Sequence, residues 1–416
     1  MANACGVDFG TSNSTVGLIR PGQPTLLALE DDKVTLPSVI FFNAEDQQIS
    51  VGRAALATYL AGHEGRLMRS LKSLLGTSLI DGQTEVAGRA LPFRQLLSLY
   101  ISALKRHAEN ASGQPLSQVV VGRPVFFVDA DSAADQRAEQ TLDASLREAG
   151  FEDVLFQYEP LAAAINYETG IDREEIVLVA DIGGGTSDFS VVRLGPQRMH
   201  RQDRQSDILA HGGIRIGGTD FDKYLSLATV MPLLGLGCRL RNGTDIPSTS
   251  YFNLATWHTI NLLYTRKAWS QLNDLRHDLA EREQFDCLLD LIEQRGGHWL
   301  AMQIEQAKID LSSADTVVVG LDRLVPRQQL TITRSALHNA VGHLHDNIAQ
   351  TVSAMLKDAK IDPDHIDTVF FTGGASGVSG LRESIAALVP RARRIEGDLF
   401  GSIGTGLALD AMRRYG

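Results

Sequence analysis

A chain of 416 residues, 44% hydrophobic, with three cysteines and a net charge of -11, suits two or three domains or one large two-lobed protein. Its acidic balance, with a pI near 5.5 and only short basic pairs such as Arg393-Arg394 and Arg413-Arg414, excludes an electrostatic nucleic-acid binder. The cysteines (Cys5, Cys238, Cys287) are odd in number and widely spaced, no apolar run nears the ~18 residues that span a bilayer, and no basic region opens the chain; a soluble cytoplasmic protein with no membrane partner is expected.

The first predicted element is a hairpin. A short apolar stretch runs into Asp8-Phe9-Gly10-Thr11-Ser12-Asn13-Ser14, and a strand pattern resumes at Thr15-Val16-Gly17-Leu18-Ile19. Residues 37–42 read as a strand, and a helix is expected from Val51 onward. Lys72 is a lone basic residue in an apolar, helix-like setting, where a lysine usually snorkels to water. Residues 93–110 carry Leu96, Leu97, Tyr100, Ile101 and Leu104 at helical spacing. A buried strand at 119–124 ends at Pro124, a helix covers 135–149, and a strand at 154–156 leads into Glu159-Pro160-Leu161-Ala162-Ala163-Ala164.

A second hairpin follows the apolar run 176–180. It reads Asp181-Ile182-Gly183-Gly184-Gly185-Thr186-Ser187-Asp188 and resumes as a strand at Phe189-Ser190-Val191-Val192. Residues 220–300, with Trp257 and Trp269, read as an inserted helical subdomain. Beyond it, Glu305, Lys308 and Ser312 fall at i, i+3 and i+7 of one predicted helix, a spacing that puts three polar groups on one face. His338, His343 and His345 lie on another helix, at offsets that do not form a metal face, and are expected to be solvated. Residues 369–376 form a strand running into Gly373-Gly374, where a ligand could touch backbone. Strands alternating with helices indicate an α/β architecture.

The two Asp-led, glycine-rich hairpins are the strongest signal. Glycines allow positive φ and let backbone N–H groups approach phosphate oxygens, while Thr and Ser hydroxyls add donors. A strand-end aspartate can hold a hydrated magnesium ion. The strand resumes after each turn, so neither is a P-loop, and the Gly-Lys-Ser/Thr ending is absent. Either alone could be an ordinary hairpin turn; two in matching contexts suggest a duplicated fold that clamps a polyphosphate from both sides.

In order along nearly the whole chain, these motifs resemble the ATPase domain of the 70-kDa heat-shock chaperones (the DnaK class, with most likeness to its YegD branch), within the actin-like superfamily. The residues from Gly6 to Ser14 are similar to the first phosphate loop, Lys72 to the catalytic lysine, and Tyr158 to Ala164 to the glutamate-proline-alanine motif. Residues 181–188 resemble the second phosphate loop, Ile216-Gly217-Gly218-Thr219-Asp220-Phe221-Asp222 the glycine pair opening the inserted subdomain, and Glu305, Lys308 and Ser312 the adenosine-binding helix. Gly373-Gly374 resembles the last nucleotide loop, and Asp398 with Gly404-Thr405-Gly406 the closing helix.

The resemblance implies an α/β, duplicated actin-like ATPase fold: lobe I at 1–175 with an inserted subdomain at about 38–112, and lobe II at 176–416 with one at about 220–300. It implies ATP or ADP as ligand with Mg2+, and K+ at the phosphates. Asp8 and Asp181 would hold magnesium through its water shell. Gly10, Thr11, Ser12, Asn13 and Gly183, Gly184, Gly185 and Thr186 would meet the phosphates. Lys72 would offset charge on the transferred group, Glu159 and Asp188 would orient the attacking water, and Pro124 with Glu159 would sense the γ-phosphate. No peptide-binding domain is expected after residue 416, and co-chaperone or nucleotide-exchange partners would engage the lobe II insertion.

Departures from the family pattern set the alternatives. Ile309 and Gly377 stand where the family has arginines near adenine, 220–305 exceeds the family norm, and 128–137 reads as a small insertion. Besides a slow ATPase, a nucleotide-dependent switch with negligible hydrolysis and another superfamily member, a filament former or small-molecule kinase, remain open.

Overall fold

The computed structural model describes residues 3–20, 23–86, 89–128, 131–201, 203–324, 328–378, 380–398 and 401–416. Two mixed sheets with the same plan organise them. In the first, the order is Asp153–Tyr158, Gln118–Arg123, Ala4–Phe9, Asn13–Arg20, Gln23–Leu26, with Thr35–Pro37 also paired to Asn13–Arg20. In the second it is Arg393–Glu396, Thr368–Thr372, Glu175–Ile182, Ser187–Leu194, Ile208–Ile214.

Strand directions agree as well as order. Ala4–Phe9 runs antiparallel to Asn13–Arg20, with Gly6 opposite Gly17, and parallel to Gln118–Arg123. Glu175–Ile182 runs antiparallel to Ser187–Leu194, with Asp181 opposite Asp188, and parallel to Thr368–Thr372. Each hairpin thus sits at the middle of its sheet, and each turn projects from the same end. Asp8 and Asp181 are carried at those ends.

Burial explains why the strands form. Val7, Phe9, Val16, Leu18, Val119 and Val121 pack with Leu96, Leu97, Tyr100 and Leu104 of the helix Phe93–Ser112, whose apolar stripe is fully inward as its spacing predicts. Ala180, Ile182, Phe189 and Val191 form the corresponding core with Phe221, Leu225, Ile304 and Val341. Cys5 lies in the first core, fully buried.

The closing helix Ser402–Tyr415 seats on the first sheet and on the helix Glu159–Glu168 at very short range. A Cβ on Gly6 would stand 2.3 Å from the Ala408 nitrogen, and one on Gly406 would stand 1.8 Å from the Ala162 carbonyl oxygen. Both contacts require glycine.

Four expectations change in detail. The strand expected at 37–42 is split at Ser38, because its N–H donates to the Ser12 carbonyl (2.9 Å) and its hydroxyl to the Gly10 carbonyl (2.7 Å). Val39–Asn43 then joins a separate sheet with Ile49–Val51 and Gly65–Arg69. The helix Gly297–Asp310 ends before Ser312, which lies in the following turn with its hydroxyl donating to the Ile309 carbonyl (2.5 Å).

His338 and His343 are exposed as expected, but His345 is only 2% exposed. The reason is that Arg334–Asp358 packs against both Gly218–Thr229 and Leu381–Leu388, so two faces of the helix are inner ones. The expected insertion at 128–137 is in part the N-terminal half of the helix Ser132–Glu148, capped by Asp131, and in part lies outside the described residues.

Candidate functional site

The two hairpin turns face each other at close range. A Cβ on Gly184 would stand 2.1 Å from the Ser12 hydroxyl oxygen, so the first loop touches the second where no side chain fits. The second loop is buttressed from behind. Gly218 and Thr219 donate backbone N–H to the carbonyls of Gly183 (3.0 Å) and Gly184 (2.7 Å), and a Cβ on Gly217 would stand 2.6 Å from the Gly185 nitrogen. Within the turn, the Gly183 N–H donates to the Thr186 carbonyl (2.9 Å) and the Thr186 hydroxyl to Asp188 Oδ2 (2.9 Å).

Lys72 occupies the short 3-10 turn Leu71–Leu74 rather than an α-helix, and it does not snorkel. Its ammonium pairs with Glu159 Oε1 at 2.5 Å, with side-chain exposures of 11% and 13%. Glu159 opens the helix Glu159–Glu168 with Pro160 beside it, a position that favours both an acid and a proline. A Cβ on Gly122 would stand 3.1 Å from Glu159 Cγ.

The electrostatics bind this cluster together. Burial, followed by the Glu159 charge, pushes the Asp8 carboxyl up to about 7 against the pull of Lys72. Burial and the neighbouring Asp188, Glu159 and Asp8 push Asp181 well above the usual carboxylate range. Burial opposes the Lys72 charge, yet Glu159, Asp8 and Asp181 outweigh it and hold the ammonium pKa above its ordinary value. Asp8, Asp181 and Glu159 around Lys72 bring more acid than base together, yet among the described residues no three acid, histidine or cysteine groups are placed to hold a metal ion directly, so these oxygens suit a hard cation such as Mg2+ only in hydrated form. Gly373, at φ +82, lies against Asp181, since a Cβ there would stand 2.5 Å from Asp181 Oδ1.

The residues expected to meet the nucleoside are brought together only in part. Lys308 is 8% exposed and pairs with Asp222 Oδ1 (2.8 Å), donating also to the Gly218 carbonyl (3.0 Å). Asp222 is pushed up to about 6 by burial, with Lys308 pulling the other way. Gly218, Lys308 and Ala375 converge, because a Cβ on Gly218 would meet Lys308 Nζ at 3.2 Å and Ala375 Cβ at 3.3 Å. Gly374 begins the turn Gly374–Gly377, and Ile309 is 49% exposed. Asp398 lies exposed before the closing helix, its carbonyl accepting from the Ser402 hydroxyl (2.7 Å).

Sequence reasoning did not single out Ser38, which holds the first loop, or Asp222, which holds Lys308. Their partners are 28 and 86 residues away in the chain, so no local pattern marks them. Asp222 does fall within the glycine-pair motif, which was the available signal.

Comparison with known proteins agrees with this architecture. The sequence matches the family model described as Hsp70 protein over residues 4–230 and 276–407. It is 28% identical over 393 residues to the chaperone protein DnaK of Mycoplasma mycoides subsp. mycoides SC, covering 92% of this chain and 54% of that protein. The chain therefore spans about half the length of the curated relative it matches. Among the described residues, no helix is long and apolar enough to cross a membrane. With most of the chain inside the family match and the two like-ordered sheets that its fold requires, the chain belongs to the Hsp70 family and has its α/β, actin-like ATPase fold.

Proposed function

We propose that the protein binds ATP with magnesium in the cleft between the hairpins and hydrolyses it slowly to ADP and phosphate, as the motor of a chaperone-type cycle. The observation that carries this reading is the convergence of Asp8, Asp181, Glu159 and Lys72 between two facing glycine turns. Magnesium, when bound, supplies charge neutralisation and a template for phosphate oxygens.

The chain's own groups do the remaining work. Asp8 and Asp181 would hold the hydrated cation, and the N–H and hydroxyl groups of Gly10 to Asn13 and Gly183 to Thr186 would cradle the phosphates. Lys72, kept charged by its acidic neighbours, balances charge that moves toward the transferred group. Glu159 and Asp188 accept hydrogen bonds from the attacking water and so set its direction. Asp188 is itself bonded to the Thr186 hydroxyl, which supports a role for that threonine beside the γ-phosphate. Positioning and fixed charge are what phosphoryl transfer chiefly needs. Gly217, Gly218, Glu305, Lys308, Ser312, Gly373, Gly374 and Asp398 bound the nucleoside end, with Lys308 acting through Asp222. Potassium is proposed as a second cation at the phosphates, and exchange-type partners as ligands of the lobe II insertion.

Steady-state turnover tests the reading. Lys72→Ala should lower kcat by roughly 100-fold or more, the scale of losing one preorganised charge-stabilising group, while ATP still binds. Unchanged turnover in both Lys72→Ala and Asp181→Ala would remove the site. Tight Mg-ATP binding with no turnover above background, in potassium as in sodium, would replace the ATPase with a nucleotide switch.

A further inference from the structure

The family match omits residues 231–275, and this segment makes contacts across the cleft. Its 3-10 helix Trp257–Tyr264 meets two residues of lobe I. The Arg69 guanidinium lies 4.3 Å from the Trp257 ring centroid, and the Tyr59 hydroxyl lies 3.1 Å from Asn261 Oδ1. The same hydroxyl is 2.9 Å from His298 Nδ1, while His298 Nε2 is 3.2 Å from the Trp257 carbonyl and its ring sits edge-on to Trp257. A carbonyl can only accept, so Nε2 carries the ring proton, and Nδ1 and Asn261 Oδ1 are two acceptors that share the single Tyr59 proton.

Both sides of this junction are fixed to parts of the candidate site. Tyr59 ends the helix Gly52–Leu60 and packs on Phe41. Arg69 ends the strand Gly65–Arg69, three residues before Lys72, and its charge is within reach of Glu305 and Asp222. His298 lies in the first turn of the helix that carries Glu305 and Lys308. The Gly297 N–H at that helix start donates to the Tyr264 hydroxyl (3.0 Å), which anchors the segment there.

We propose that residues 231–275 supply a latch, Trp257 and Asn261 on Arg69 and Tyr59, that fastens the two lobes over the nucleotide cleft and slows nucleotide release. The nucleotide half of this inference rests on the ATP-binding reading; the fastening of the lobes does not. A stacked cation and a hydroxyl hydrogen bond are directional, so they hold the lobes in one relative position. The lobes can part only when these contacts break together, because Trp257 and His298 brace each other.

The test uses the full chain with Cys238→Ser and spin labels on Ala57→Cys and Leu262→Cys, both exposed and one on each side of the latch. Interlobe distance is measured without nucleotide, and release of a fluorescent ADP is timed in magnesium. Tyr59→Phe should lengthen or broaden the distance distribution and speed release roughly 3- to 10-fold, the scale of losing one net hydrogen bond. Trp257→Ala should do more; if it fails to fold, Tyr59→Phe decides alone, with its melting temperature as control. An unchanged distance overturns the latch, and a lengthened distance with an unchanged release rate overturns its control of release. A protein that binds no ADP sinks the ATP-binding reading, and the distances still decide whether the latch exists.

Discussion

At the scale of single residues, burial decides what each ionisable group does. Lys72 shows this most clearly. Local sequence surrounds it with leucines and predicts a lysine reaching for water, yet its partner Glu159 is 87 residues away and the pair closes inside the cleft. His345 is a second case, with no visible role in the site. Its imidazole packs edge-on to Phe221 (5.7 Å) and near His338 (6.1 Å), and neither ring nitrogen has a hydrogen-bond partner among the described residues. Burial pushes its pKa from 6.5 down to about 4, with His338 and His343 pushing the same way and Asp346 and Glu383 opposing. Below pH 6.5 the unfolded chain takes up a proton that the folded ring resists, so stability present above pH 6.5 is lost as pH falls toward 4. His345→Leu should recover roughly 2 kcal/mol of that loss. Melting temperatures of the two proteins, followed from pH 8 to pH 5, should diverge as the solution is acidified; parallel curves would show that His345 does not carry the acid sensitivity.

At the scale of elements, much was legible in the sequence, for a physical reason. Hairpins, the helix Phe93–Ser112 and the strand ending at Pro124 are set by local periodicity and by glycine and proline, so a single window of sequence specifies them. The break at Ser38, the early end of the helix before Ser312 and the burial of His345 are set by partners distant in sequence, and a window cannot contain them. The latch residues Tyr59, Arg69 and Trp257 are of that second kind. Glycines separate the two cases experimentally. Gly406 lies in the closing helix against the Ala162 carbonyl, where a Cβ would overlap backbone that has nowhere to move. Gly406→Ala should cost about 1–3 kcal/mol by overpacking. Gly342 lies within the helix Arg334–Asp358 with nothing within 4 Å of its would-be Cβ, and Gly342→Ala should gain about 0.5–1 kcal/mol from helix propensity. Denaturant midpoints that move in opposite directions support this packing; a harmless Gly406→Ala contradicts the seat of the closing helix.

At the scale of the whole molecule, two copies of one sheet plan bring two acid-tipped hairpins face to face, and that arrangement stores electrostatic cost. The raised pKa values of Asp8 and Asp181 mean that their charged forms are disfavoured where they sit. A raised carboxyl pKa costs stability above that pKa and is relieved as pH falls through it, so rising pH loads this cost onto the nucleotide-free clamp. Removing one charge should therefore stabilise the empty fold while disabling it, a trade common at functional sites. Asp181→Asn is expected to raise the nucleotide-free stability at pH 8 by about 0.5–2 kcal/mol. In the parent protein, Mg-ADP at a hundred times its dissociation constant should add about 2.7 kcal/mol by linkage, because a ligand held by both hairpins binds only the closed, folded clamp. The variant should lose most of that second gain, so its melting curves with and without Mg-ADP should nearly coincide at a temperature above that of the ligand-free parent. If Asp181→Asn instead melts lower than the parent without ligand, the aspartate is held by favourable contacts, and the idea of a charge cost stored for a cation fails.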